Sequence, residues 1–303
     1  MITWLIGDNS FEVSEALAAI IQNSSALPER FDGTTLTLAD LPNILMGVSL
    51  FSVKRLVIIS NLTENSAIWE KLPSWIERIS DDIDLVFIDE KPDKRRLSYK
   101  ALQAVATVRE FSSWTDKDQF NASSWLEARA KTMGIELSKK DVQTLLRRVG
   151  LNQWQLAHAL DTLALADKVD TETIEAVIPA NPSENALLLF ETALKGDVTR
   201  LSQAIEVLKN TEVPQQIFSL LTTQLLSFAA VSFAKGPGQS PAADIGIHPY
   251  VVKILTPHAQ KRGAAETSKM LADFARADQL LKGTATDPWV LIERLLMGIA
   301  LKK

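Results

Sequence analysis

Four short apolar runs dominate the first third of the chain: "ITWLIG" (2–7), "RLVIIS" (55–60), "DLVFID" (84–89) and "TVREFS" (107–112). All four read as strands, and the unbroken run 55–60 looks like a buried strand of a parallel sheet. Residues 11–22, 66–79 and 95–105 carry helical spacing between them, and "TTLTLA" (34–39) reads as a further, less regular strand. Strand and helix alternating over short connections predict a three-layer α/β domain.

After about Thr115 the strand pattern stops. "SSWLEARAKTMG" reads as a helix running into Gly134, and Ser138 precedes Asp141 in a capping-box-like "SKKD" that opens a helix ending at Gly150. Asn152 is placed to cap the next helix, on which Trp154, Leu160 and Leu163 recur near the helical period, and a short helix over 171–178 follows Asp170. "PANPSEN" (179–185) reads as a linker. Helices are expected beyond it at 184–195, 198–209, 213–235, 248–261, 265–283 and 288–301, with a long loop over 235–246. The last helix begins with Asp287 as N-cap and Pro288 at the first helical position. The expected division is an α/β domain over 1–115, a small all-α domain over 116–180 and a larger all-α domain over 181–303.

The 303 residues carry a formal net charge of −5, so no global electrostatic pull toward nucleic acid or an anionic membrane is expected. Cysteine is absent, which excludes disulfides, thiol catalysis and thiolate metal sites. "MITWLIGD" has no basic region ahead of its apolar residues, so no secretory signal is expected and a cytoplasmic location fits. The uncharged stretch 213–234 is long enough to span a bilayer, but Gln215, Gln216, Gln224 and several hydroxyl residues make a buried central helix the favoured reading.

An α/β domain followed by helices is also the layout of the AAA+ ATPases, in which a phosphate cradle follows the first strand. That cradle needs clustered glycines and a lysine. The sequence there is "GDNSFEVSEAL", with Gly7 alone, Asp8 and Glu12 placed to repel phosphate, and no basic residue before Arg30. The P-loop is absent. Asp89 and Glu90, closing "LVFIDE", resemble the carboxylates of a Walker B strand, although without a cradle a solvated strand end is the favoured reading.

The basic run "KPDKRR" (91–96) reads as solvated surface. His158, His248 and His258 stand at no metal-ligand spacing, and no nucleophile motif is present. Trp75, Trp125, Trp154 and Trp289 fall on apolar helical stripes and read as core. Neither a catalytic site nor a cofactor is expected.

One stretch resists these structural readings. In "GVSLFSVKRLVIIS" (47–60) Leu50 and Phe51 sit among serines where a surface turn should feed a strand. Two readings remain open: the pair folds back as a cap over the sheet, or it is an exposed apolar plug for a partner. A plug side chain of this size contributes roughly 1.5–3 kcal/mol when fully buried, enough for a hot spot. "DLPNILMG" (40–47) would then be a short helix presenting it, and 55–60 the strand that fixes it in place.

With that stretch the chain resembles the delta subunit family of the bacterial DNA polymerase III clamp loader. "WLIGDNSFEVSEAL" is similar to the family's opening, "SLFSVKRLVIISN" to its Ser-Leu-Phe-Ser-x-Lys-Arg-Leu signature, and "DKRRLSYKAL" to the element after the fourth strand. "HPYVVKI" and "ADQLLKGTATDPWVLIERLLM" resemble the collar helices, whereas 235–246 is the least family-like part. The resemblance implies a degenerate AAA+ module that neither binds nor hydrolyses ATP, made of the α/β domain and a lid, and a collar for assembly with sister subunits. It implies that Leu50 and Phe51, with Val48 as apolar neighbour, form a wedge that enters a pocket of the sliding clamp and helps open it. The implied partners are the sliding clamp, the other clamp-loader subunits and primer–template DNA within the complex. The competing expectations are a divergent AAA+ ATPase using Asp89 and Glu90, and a helical scaffold without clamp contact.

Overall fold

The structure is a computed structural model that describes residues 1–47, 54–234, 247, 249–283 and 286–302. The chain divides into two compact units. The first comprises Met1–Ile135 and Leu151–Asp161, and the second comprises Glu136–Gly150 and Thr162–Lys303.

The first unit is built on five parallel strands: β1 (Ile2–Ile6), β2 (Pro28–Asp32), β3 (Arg55–Ser60), β4 (Ile83–Asp89) and β5 (Thr107–Glu110). Their spatial order is β2-β3-β4-β1-β5, so the three most apolar strands occupy the middle. Parallel pairing demands crossovers, and the helices α1 (Ser10–Asn23), α2 (Leu41–Met46), α3 (Ser66–Trp69), α4 (Leu72–Ile76) and α5 (Leu97–Val105) lie in them. Because side chains alternate across a strand, Leu5, Leu56, Ile58 and Val86 face one layer, where Val13, Ala16 and Leu17 of α1 cover them. Trp4, Val57, Ile59, Leu85 and Phe87 face the other, under Leu41, Ile44 and Leu45 of α2, Ile68, Trp69, Leu72, Tyr99 and Leu102. This is the three-layer α/β arrangement that the alternating pattern predicts.

Two local expectations are corrected. No strand forms at 34–39; the second strand is Pro28–Asp32, paired with Leu56–Ser60. An edge strand tolerates proline at its first position and charged side chains along its length, so it lacks an apolar signal. Residues 34–39 instead form turns, held by Asp32 accepting from Thr34 N and Oγ1 (3.0 and 2.8 Å) and by Asp40 accepting from Thr37 N and Oγ1 (2.8 and 2.7 Å). The helix expected over 66–79 is broken into α3 and α4, with Pro73 in the first turn of α4, where a missing N–H costs nothing.

Helices α6 (Gln119–Thr132) and α7 (Lys139–Val149) follow, with α8 (Gln153–Leu163) and α9 (Thr171–Val177). The capping box at the start of α7 is present in both halves: Ser138 N donates to Asp141 Oδ2 at 3.0 Å and Asp141 N to Ser138 Oγ at 3.2 Å. Gly150 closes α7 with φ +88°, and Asn152 accepts from Gln155 N at 3.1 Å.

The second unit is helical among the described residues. It holds α7, α9, α10 (Pro182–Lys195), α11 (Val198–Lys209), α12 (Pro214–Phe233), α13 (Pro249–Gly283) and α14 (Pro288–Ala300). The expected linker is partly helix, since α10 starts at Pro182 with Asn181 accepting from Glu184 N at 2.9 Å. The break expected between 261 and 265 is a non-helical Gly263 inside α13 (φ 73°, ψ 174°).

By length and composition α12 could cross a membrane. Here Ile217, Phe218, Leu221, Leu225 and Phe228 enter one core with Phe190, Leu201, Phe274, Ile292 and Leu296, as the central-helix reading expects. Of the four tryptophans read as core, Trp289 is buried, Trp75 and Trp125 are partly so, and Trp154 is 49% exposed.

Candidate partner-contact site

Val48, Leu50 and Phe51, the residues expected to form the wedge, lie outside the described residues. The two ends of their segment are described, and a single side chain joins them. Helix α2 is only six residues long, too short to persist on its own. It is held from below by Leu41, Ile44 and Leu45, which pack into the sheet. Its last carbonyls have no partner within the helix. Arg55, the first residue of β3, supplies the donors: Nη1 donates to the carbonyls of Gly47 (2.7 Å), Asn43 (3.1 Å) and Ile44 (3.4 Å). Ser80 N takes the carbonyl of Leu45 at 3.0 Å.

The other edge of the same guanidinium grips Glu29 on β2. Nε donates to Oε1 at 2.8 Å and Nη2 to Oε2 at 2.6 Å, the two-pronged geometry that arginine offers a carboxylate. The parallel register makes this contact natural, because Glu29 lies opposite Val57 and Arg55 sits two residues before it. The hydrogen bonds from Arg55 hold the Glu29 carboxyl below its ordinary value, and Glu29 raises the guanidinium. A cation at a helix C-terminus also opposes the negative end of the helix dipole. Gly47 is required by close approach: a Cβ there would lie 2.4 Å from the Asn43 carbonyl oxygen and 3.1 Å from Arg55 Nη1.

The loop after β1, where a phosphate cradle would lie, is occupied by the protein's own groups. Gly7 N donates to the Asp89 carbonyl (3.1 Å), Asn9 N to the Phe111 carbonyl (3.2 Å) and Ser10 N to the Asp8 carbonyl (3.1 Å). Glu12 N donates to Asn9 Oδ1 at 3.3 Å. These backbone donors, which a nest would aim at a phosphate, are spent internally. Asp8 accepts from Ser113 N at 2.7 Å, and that bond holds its carboxyl below its ordinary value, keeping a negative charge in the loop. Gly7 adopts φ +136°, and a Cβ there would lie 1.7 Å from the Phe111 carbonyl oxygen. The loop is thus closed onto the end of β5.

Asp89 is not a solvated strand end. It is 2% exposed and accepts three hydrogen bonds, from Trp4 Nε1 (2.9 Å), Thr63 N (3.0 Å) and Thr63 Oγ1 (2.8 Å). The carboxylate, at the end of β4, thus fastens the middle of β1 and the turn after β3 to that strand end. Glu90 is exposed and pairs with Lys91 at 3.1 Å. The remaining cations of the basic run are also paired: Lys94 with Glu110 (3.0 Å), Arg95 with Asp93 (2.9 Å) and Arg96 with Glu70 (3.4 Å). These are exposed pairs of small energetic weight, in keeping with the solvated-surface reading. Among the described residues no group of three or more His, Asp or Glu is gathered to hold a metal.

Sequence reasoning missed both polar junctions. The Arg55 partner is 26 positions away on an edge strand without an apolar signal. The second junction, around Asn9, joins residues 144 positions apart: Asn9 Nδ2 donates to Gln153 Oε1 at 2.6 Å, with both residues buried. Gln153 Nε2 donates to Glu12 Oε1 at 3.1 Å, and Trp154 Nε1 to Ser10 Oγ at 2.9 Å. Phe11 fills the space beneath, edge-on to Trp125 and Trp154 at 5.5 and 5.0 Å, with the Arg129 guanidinium over its ring.

Residues 4–112 match the family model described as DNA polymerase III, delta subunit, and residues 183–299 match that of the DNA polymerase III delta subunit, C-terminal domain. Among solved structures, a Bacillus subtilis DNA clamp loader delta protein (YqeN) is similar with a TM-score of 0.59 and 18% identity, over 99% of this chain and 95% of that one. A Thermotoga maritima RuvB Holliday junction branch migration motor matches with a TM-score of 0.39 and 15% identity, over 86% of this chain and 79% of that one. The search of curated proteins found no match.

Proposed function

The chain belongs to the DNA polymerase III delta subunit family, and from that premise we propose that it is the clamp-opening, non-ATPase subunit of a replicative clamp loader. In this reading Leu50 and Phe51, with Val48 beside them, enter an apolar pocket of the sliding clamp. The wedge favours the opened ring, so binding shifts a closed–open equilibrium by its differential affinity for the two states. Residues 1–115 form the degenerate AAA+ module, 116–180 its lid and 181–303 the collar through which sister subunits assemble. The assembled loader works in the cytoplasm around primer–template DNA.

The observation that carries the reading is the fixed stem of the 48–53 segment. Gly47 on one side and Arg55 on the other are joined by a 2.7 Å hydrogen bond, within the part of the chain that matches the family model. An apolar pair on an anchored stem suits insertion into a partner. The absence of ATP chemistry is supported by the loop after β1, where Asp8, Glu12 and internally bonded N–H groups occupy the place of a cradle. The supply of ATP energy then falls to other subunits.

The test is a pull-down of the sliding clamp by the wild-type chain and by a Leu50→Ala/Phe51→Ala variant. Retention of the clamp by wild type alone supports the reading; equal retention by both overturns the wedge assignment.

A further inference from the structure

We infer that Arg147 is a releasable catch: it fastens the α7–α9 pair to the starts of α10 and α13 through a polar joint, and the buried carboxylate of Glu184 drives its release. All parts of the catch belong to the second unit, and it does not depend on the clamp-binding reading.

Helices α7 and α9 are tied to each other. Thr171 Oγ1 donates to Asp141 Oδ1 at 2.7 Å, and Arg148 Nε donates to the Ile178 carbonyl at 2.7 Å. They meet the helices that follow in another way. The apolar core of α10 to α14 draws on residues from Ala186 to Ala300, and among the described residues none of it comes from α7 or α9. Polar groups make the junction instead. From the last turn of α7, Arg147 Nη1 donates to the Tyr250 hydroxyl at 2.8 Å, and the guanidinium stands 5.6 Å from the centre of that ring. Its Nη2 donates to Glu175 Oε1 on α9 at 3.1 Å. Asn181, the N-cap of α10, donates its backbone N–H to the Arg148 carbonyl (2.7 Å) and Nδ2 to the Arg147 carbonyl (3.1 Å). A joint of this kind parts at small cost, because water replaces each bond and little apolar surface is uncovered.

Glu184, in the first turn of α10, is the group that gains from parting. Its side chain is 3% exposed. Oε1 lies 3.0 Å from Arg147 Nε but out of hydrogen-bond alignment, and Oε2 is buried without a hydrogen-bond partner. A carboxylate taken out of water without its hydrogen bonds is costly, and attraction to a nearby cation does not by itself offset that cost. The charges facing it are Arg147 and Arg148 from α7, which attract, and Glu175 from α9, which repels; Tyr250 of α13 adds a phenol held by Arg147. Burial outweighs the two arginines and holds the Glu184 carboxyl above its ordinary value. Opening the joint hydrates the carboxylate. Arg147 and Tyr250 therefore favour the closed joint, and the charge on Glu184 favours the open one. A raised carboxyl pKa in the closed form means that closure is strengthened as pH falls, the opposite of a salt bridge that simply holds two helices together.

The chain contains no cysteine, so spin labels can be placed at will on the full-length protein. Gln143→Cys on α7 with Val207→Cys on α11 reports the joint, and Val207→Cys with Val290→Cys on α14 reports the core; all three positions are exposed. Double electron–electron resonance gives the distance distributions for the unaltered joint and for Tyr250→Phe, Glu184→Gln and Arg147→Ala, from neutral pH down to about 4.3. Tyr250→Phe is expected to widen the joint distribution and raise its open-to-closed ratio about tenfold. Arg147→Ala, which leaves Glu184 unpaired, widens it further. Glu184→Gln narrows it, acidification narrows the unaltered joint but not Glu184→Gln, and the core pair stays fixed throughout. Should Arg147→Ala fail to fold, the other two variants still decide the matter. Widening in Glu184→Gln or on acidification identifies an ordinary stabilising ion pair and overturns the proposal. A joint indifferent to pH and to Glu184→Gln overturns the role of Glu184, and one indifferent to Tyr250→Phe overturns the catch. Movement of the core pair together with the joint pair overturns it too, since the whole unit is then loosened.

Discussion

Asn9 and Gln153 share a 2.6 Å hydrogen bond between two buried side-chain amides. Asn9 caps α1 with its oxygen while its nitrogen reaches Gln153, so one residue ends the loop after β1 and ties it to the start of α8. The pair, with Glu12 on the far side of Gln153, occupies the entrance to α1 with neutral and acidic groups. Asn9→Ala should therefore be costlier than Gln153→Ala. The first removes the cap and strands a buried Gln153 oxygen, about 2–3 kcal/mol, while the second spares the cap and costs about 1–2 kcal/mol. Denaturant unfolding followed by tryptophan fluorescence measures both, and equal losses would count against the dual role of Asn9.

Asp89 offers a second test, because its two readings predict different things. Three donors converge on its carboxylate, and an asparagine has one acceptor oxygen and brings its own N–H donors. Asp89→Asn should lower stability by about 2–4 kcal/mol at neutral pH. A metal-linked carboxylate of an ATPase would instead tolerate the change in stability and lose nucleotide turnover.

Nucleotide binding is tested directly by titrating the isolated chain with a fluorescent ATP analogue and magnesium. With the donors of Gly7, Asn9 and Ser10 bonded internally and Asp8 held ionised, no saturable binding in the micromolar range is expected. Saturable micromolar affinity would sink the non-ATPase reading.

The pH dependence of stability has a defined contributor in Asp141. Burial pushes its carboxyl up, but hydrogen bonds from Ser138 and Thr171 outweigh burial and leave it below its ordinary value. A depressed folded-state pKa adds stability that is complete above the unfolded value of about 3.9 and is lost as pH falls through the folded value. Asp141→Asn should thus cost about 1–2 kcal/mol at pH 7. The gap to wild type should close as thermal melts are taken to pH values below about 3.9. A gap that is constant across that range would remove Asp141 from the account.

How much of this was legible in the sequence depends on whether a residue signals locally. β3 runs over Arg55–Ser60 as expected, because a fully buried strand is written as an unbroken apolar run. The Ser138–Asp141 box was readable because both partners sit in one turn. β2 was not, since Pro28, Glu29 and Arg30 give an edge strand no apolar period. Arg55 looked like the start of a strand, and only the register that brings β2 beside it makes it a link between Glu29 and the end of α2. Asp89 looked solvated for the same reason: Trp4 and Thr63, its donors, are distant in sequence. Leu50 and Phe51 stood out as apolar residues among serines, and the role proposed for them came from resemblance, since periodicity says nothing about a partner.

The most direct measurement is the equilibrium affinity of the full chain for the sliding clamp, compared with that of Leu50→Ala/Phe51→Ala. Two apolar side chains withdrawn from a buried pocket, at roughly 1.5–3 kcal/mol each, predict a loss of at least about a hundredfold. Affinity within about twofold of wild type would contradict the account.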